Sequence, residues 1–311
     1  MQTRSLGPEE ISVVGYGAWE IGGDTWGANP EEDQIATAIH AGLDAGINWI
    51  DSAEIYGSGR SEEILGRVLK GREDAMVFTK IGAAPNGTGY DASSVRKGAV
   101  KSLQRLQRDV IDLYQIHWFS NDVPLEETWQ AMTDLVDEGL ARYIGVSNFN
   151  VEQLERCEKI RHVDSLQPQL SMLERRALPE LLPWCDEHGT TVLAYGSLAY
   201  GLLSGNITAD TTFPDDDWRS GTKKVGYYER LFKPGVREKH IEKVEAMRPI
   251  AERKGVTLAQ LALAWVVHQH GDAVAIAGSR NAEHVVANAR AGDVTLTEQD
   301  LAEIDEILGT V

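Results

Sequence analysis

The chain has 311 residues, 42% of them apolar, a net charge of −18 and no apolar run of membrane-spanning length. That composition excludes a disordered chain and a helical membrane span, and the charge argues against nucleic acid and anionic membrane surfaces as partners. Met1 to Glu10 contain one Arg, two acids and no apolar core, so no secretion signal is expected and a cytoplasmic location is.

Short aliphatic runs alternate with amphipathic helices along the whole chain. The first run, residues 11–14, ends at Gly15 to Gly17. Asn29, Pro30 and Glu32 then read as N-cap, first position and capping box of a helix whose buried face is Ile35, Ala38, Ile39, Gly42 and Leu43. The second run, residues 47–50, ends at Asp51, and Gly71 stops the helix after it. The third, residues 76–79, ends at Lys80; the fourth, residues 110–116, ends at His117. A helix starting near Pro124 precedes the fifth run, residues 141–146, which ends at Ser147 and Asn148. Asn150 and Gln153 cap the next helix. The sixth run, residues 164–166, ends at Gln167, and the seventh, residues 191–194, ends at Tyr195.

A long loop follows, residues 199–235, of a length that usually marks function. Helices are expected over residues 236–253 and 257–270, the second boxed by Thr257 and Gln260. The eighth run, residues 273–277, ends at Gly278, a helix opens near Asn281, and a C-terminal helix carries Leu301, Ile304 and Leu308. Eight strand–helix units without a composition break predict one domain over residues 1–311, a closed (β/α)8 TIM barrel with a long loop after strand seven. Cys157 and Cys185 lie in helical stretches at no paired spacing and read as reduced core thiols. His268 and His270 face different sides of a helix end and do not read as a metal pair, so no metal is expected.

In such barrels the chemistry sits where the strands end. Taken singly, Asp51 is an ordinary turn residue, Tyr56 half-buried packing, Lys80 a surface strand end and His117 a core histidine. Taken together at the ends of strands two to four they form a catalytic set. A phenol is too weak an acid for neutral pH, and Lys80 beside Tyr56 is expected to lower its pKa, with Asp51 keeping Lys80 charged. His117 would give a second hydrogen bond to a developing alkoxide, so that Tyr56 acts as general acid beside a hydride donor. No G-x-G-x-x-G follows a strand, which argues against a Rossmann site. Instead Gly278-Ser279-Arg280-Asn281 opens a helix after strand eight, where barrels commonly hold phosphate. A Schiff-base aldolase with Lys80 as nucleophile is the rival on the same barrel, but Asp51 would keep that amine charged.

The motifs resemble the aldo-keto reductase family across nearly the whole chain. They are Gly15-Tyr-Gly-Ala-Trp19, the stretch from Asn48 to Gly57, Phe78-Thr-Lys80, the stretch from Ile111 to His117, Gly145-Val-Ser-Asn-Phe149, Gln167, the stretch from Ala194 to Leu203, and that from Gly278 to Asn288. The extended loop is similar to that of the bacterial branch that also holds potassium-channel β-subunits. The resemblance implies that Asp51, Tyr56, Lys80 and His117 are a catalytic tetrad and that the chain reduces aldehyde or ketone carbonyls with NADPH, NADH being the second possibility. It implies that Ser147, Asn148 and Gln167 hold the nicotinamide carboxamide and that Tyr195 stacks on the ring. Gly196, Ser197 and Leu198 continue that cofactor wall, and Ser279 and Arg280 take the 2′-phosphate. His284 and Asn288 lie near the phosphates and adenine. Trp19 contacts both cofactor and substrate, and Trp118, with Tyr56 and His117, meets a small carbonyl substrate. Trp26 belongs to the same mouth, and Trp218, Tyr227 and Tyr228 are expected to close over it. Gly278 stands where many members have Lys, leaving Arg280 nearly alone at the 2′-phosphate, and Ser197 stands where many have Pro. A cofactor-sensing subunit with slow turnover is the alternative function.

Overall fold

The computed structural model describes residues 1–309 apart from Asp24, Ala28, Asn29, 83–89, Lys224, His270 and Gly271. Among the described residues, ten strands form two sheets. β1 (Thr3–Leu6) and β2 (Glu9–Ser12) pair antiparallel as a hairpin. β3 (Val14–Gly17), β4 (Trp49–Asp51), β5 (Met76–Ile81), β6 (Ile111–Ile116), β7 (Ala141–Ser147), β8 (Ser165–Gln167), β9 (Thr191–Ala194) and β10 (Val274–Ala277) pair parallel in chain order. β10 pairs back onto β3, which closes the barrel. The helices between them cover its outer face, as parallel strands require. No helix among the described residues is long and apolar enough to cross a membrane.

The first aliphatic run divides differently from expectation. Ser12 ends the hairpin strand, and the barrel strand begins at Val14. The hairpin lies under the barrel, with Leu6 and Ile11 fully buried. Asn48 ties the two together, accepting from Ser12 N at 2.8 Å and donating to the Glu10 carbonyl at 2.8 Å. Gly15 is needed here because a Cβ would enter the Trp49 ring, whose indole donates to the Ser12 carbonyl at 2.8 Å.

The helix expected over 236–253 is two, Arg237–Ala246 and Arg248–Lys254, breaking at Met247. Pro249 is the cause: it lacks an N–H and its ring excludes the carbonyl four residues back. The capping boxes Asn150/Gln153 and Thr257/Gln260 form as the sequence predicts. The expected cap Asn29 lies outside the described residues, as does His270; the helix begins at Glu32, after Glu31. Both thiols are free and buried, and burial pushes each up to about 12.

Candidate active site

The strand ends open into one cavity of about 1190 Å³, larger than the roughly 300–1,000 Å³ of pockets for drug-sized ligands. Asp51, Tyr56, His117 and Trp118 line it with Trp19, Ser147, Asn148, Gln167 and the run from Tyr195 to Leu198. Gly278, Ser279, His284 and Asn288 line its far end. Lys80, expected at the site, is fully buried behind its wall, and Arg280, half-buried, meets the backbone of Glu20 beside the far end.

Lys80, on β5, is fully buried. Its ammonium donates to Asp51 Oδ1 at 2.6 Å and to the Ser52 carbonyl at 2.8 Å. It also sits 5.4 Å from the centre of the Tyr56 ring. Burial lowers its pKa, and Asp51 opposes that, since an adjacent carboxylate favours the charged amine. Tyr56 opens a short kinked turn, Tyr56–Gly59, in which Gly57 at φ 61° and Ser58 at φ 54° are left-handed. A Cβ on Gly57 would strike the Gly22 carbonyl, so glycine lets this turn seat against the helix Trp19–Gly22.

The phenol differs from expectation. Its pKa lies well above 10, raised first by desolvation and then by Asp51 and Tyr227. The Lys80 charge is absorbed by Asp51 and a carbonyl and does not reverse this. Desolvation and the Lys80 charge hold His117 well below its usual value, so its imidazole is neutral. Its Nδ1 is buried without a hydrogen-bond partner, and its ring meets that of Tyr56 edge-on at 5.9 Å.

Hydrogen bonds link the next residues in series. Gln167 Nε2 donates to Asp51 Oδ2 at 2.8 Å, and the Gln167 carbonyl accepts from Ser147 Oγ at 2.8 Å. Asn148 adopts φ 62°, a left-handed conformation that asparagine tolerates better than most residues. Its Nδ2 donates to Ser147 Oγ at 2.9 Å and to the His117 carbonyl at 3.1 Å, while Oδ1 accepts from Tyr195 Oη at 2.7 Å. Tyr227, from the long loop, donates to Tyr195 Oη at 3.1 Å and lines the cavity. Trp26 lines it as well. Trp218 is instead fully buried packing, and Tyr228 packs beside Gly221, so neither closes over the cavity as expected.

At the far end, a Cβ on Gly278 would collide with the Gly17 carbonyl, which explains glycine at this position. Ser197 is buried and its hydroxyl closes its own turn onto the Ala194 carbonyl at 2.9 Å. The N–H groups of Glu283 and His284 are capped by Asn281 Oδ1 rather than turned to the cavity. Arg280 donates to the Glu20 carbonyl from Nε at 3.2 Å and from Nη2 at 2.7 Å. Sequence reasoning missed Arg219, a further cation in this wall, paired with Asp217 at 2.6 Å and stacked 4.9 Å from Trp26. It sits in an irregular loop with no periodicity to place it. Glu20, which lines the same part of the cavity, carries one signal in the sequence: it is an acid directly after Gly15-Tyr-Gly-Ala-Trp19. With an aromatic face and amide groups at one end and cations at the other, the cavity fits a nicotinamide dinucleotide.

A model of the aldo/keto reductase family matches residues 13–309. An aldo-keto reductase of Bacillus subtilis, YhdN, is 37% identical over 307 residues, 96% of this chain and 90% of that protein. The solved glycerol dehydrogenase of Gluconobacter oxydans superposes with a TM-score of 0.87 at 35% identity, over 99% of this chain and 95% of that one. An aldo/keto reductase from Klebsiella pneumoniae, solved with NADP and acetate, gives 0.73 at 30% identity, over 96% and 92%.

Proposed function

The chain belongs to the aldo/keto reductase family, and from that premise we propose that it is an NADP(H)-dependent oxidoreductase interconverting aldehyde or ketone carbonyls and alcohols. The observation that carries this reading is the juxtaposition of Tyr56 and His117 in the cavity lining, with the Lys80–Asp51 pair beside the Tyr56 ring.

A bound nicotinamide would supply the hydride to the carbonyl carbon. Tyr56 then donates its proton to the carbonyl oxygen. Desolvation keeps the phenol protonated until the carbonyl oxygen gains alkoxide charge and becomes basic enough to take the proton. His117, held neutral, offers one N–H to the same oxygen. The Lys80 ammonium stands behind the ring to stabilise the phenolate left by the transfer, and Asp51 keeps that amine charged against burial. Ser147, Asn148 and Gln167 would hold the carboxamide, and Tyr195 would offer its ring to the nicotinamide. Trp19, Trp26, Trp118 and Tyr227 give the substrate an aromatic-lined mouth. The cofactor in the Klebsiella relative supports the choice of NADP(H), and the glycerol dehydrogenase shows that a neighbour of this fold acts on a small alcohol.

The test follows the absorbance of NADPH with an activated aromatic aldehyde. Wild type is expected to oxidise the cofactor, and Tyr56→Phe to lose about 10²- to 10⁴-fold in kcat while still binding it. Undiminished turnover in the variant overturns the role of Tyr56. Binding without turnover in wild type favours the sensing subunit instead.

A further inference from the structure

Glu20 follows Trp19 in the helix Trp19–Gly22, at the end of β3, and lines the far part of the cavity with Arg219, Ser279 and His284. Its backbone carbonyl is the acceptor that Arg280 clamps. Its carboxylate makes no hydrogen bond or ion pair with any described residue. The charges that act on it come from three elements: Arg280 after β10, His284 on the helix Ala282–Arg290, and Arg219 with Asp217 on the long loop. Burial raises its pKa, and the two arginines pull it back.

An acid without a hydrogen-bond partner among the described residues is out of keeping with a wall that has to hold phosphates. Like charges lining one partly desolvated cavity repel, at a cost of roughly tenfold or more in affinity. A ribose diol, by contrast, donates hydrogen bonds that a carboxylate accepts, the arrangement by which dinucleotide folds of another kind favour NAD. Resting on the dinucleotide reading above, we infer that Glu20 is a specificity-determining residue of the cofactor site. It offsets the attraction of Arg280 for a 2′-phosphate and so narrows the preference for NADP(H) over NAD(H). A phosphate drawn in beside Glu20 stabilises the protonated carboxyl, so NADP+ binding takes up a proton there.

The experiment is calorimetric titration of wild type, Glu20→Gln and Glu20→Asp with NADP+ and with NAD+, in buffers of different ionisation enthalpy. Glu20→Gln is expected to bind NADP+ about tenfold more tightly, with NAD+ unchanged or weaker, and to lose the proton uptake of wild type. Glu20→Asp keeps the charge and is expected to keep the wild-type preference. Uptake that persists in Glu20→Gln belongs to His284 or to the phosphate itself and overturns the assignment, as does an equal shift for both cofactors. Should Glu20→Gln not fold, wild type remains decisive, because NADP+ binding without proton uptake overturns the inference. Failure of wild type to bind either dinucleotide would instead overturn the cofactor reading on which it rests.

Discussion

Asp51 works in two directions. Oδ1 accepts from Lys80, and Oδ2 accepts from Gln167, the residue expected at the carboxamide. Through Ser147 and Asn148 the same series reaches Tyr195 and then Tyr227 on the long loop. Gln167 therefore couples the proposed cofactor wall to the Lys80–Asp51 pair beside Tyr56. A hydrogen bond to a charged group is worth about 1.5–3 kcal/mol, so Gln167→Leu is expected to lower kcat about 10- to 100-fold. Gln167→Glu places a second carboxylate against Asp51 and is expected to lower it further. Rates equal to wild type in single-turnover measurements with Gln167→Leu would show that the bond to Asp51 does not hold the tetrad. The residue types were legible in the sequence, since an acid, an amine and an imidazole end successive strands. The direction of the Tyr56 shift was not. It depends on how much water the phenol loses and on where the Lys80 charge is spent, and both are set by packing across the barrel.

Elements were read correctly where a local rule suffices. The boxes Asn150/Gln153 and Thr257/Gln260 formed where the residues sit, and strand ends fell within a residue or two of the aliphatic runs. They were misread where a neighbour or a single residue decides, as at Ser12 and Pro249. The C-terminal helix, Glu298–Leu308, was expected from its apolar face alone, yet both of its ends are tied down. Thr297 caps it, accepting from Asp300 N at 3.2 Å and donating to Asp300 Oδ2 at 2.6 Å. Lys243 donates to the Leu308 carbonyl at 2.7 Å, and Arg175 takes the Gly309 carbonyl. Thr297→Val removes the cap and is expected to cost about 1 kcal/mol. In urea the midpoint should fall with the slope unchanged. A changed slope would mean that the helix detaches as a separate unit.

At the scale of the molecule, stability and chemistry lie at opposite ends of the barrel. The mouth carries the proposed tetrad and the proposed cofactor wall. The floor is closed by the hairpin, through Leu6 and Ile11, the Asn48 bonds and the Thr191 hydroxyl on the Ser5 carbonyl at 2.7 Å. The eightfold alternation made the barrel legible, because each strand reports its own burial. The floor was not legible, because two short strands of mixed pattern acquire meaning only from the barrel above them. Leu6→Ala empties a fully buried site in that floor, and such truncations cost about 2–5 kcal/mol. The variant is expected to melt several degrees lower while NADP+ affinity, measured well below the melting range, stays within about threefold of wild type, since the barrel between floor and mouth is closely packed and does not pass on a small cavity as a displacement. A fall in affinity comparable to the loss of stability would mean that the hairpin sets the spacing of the strand ends, and that floor and mouth form one cooperative unit.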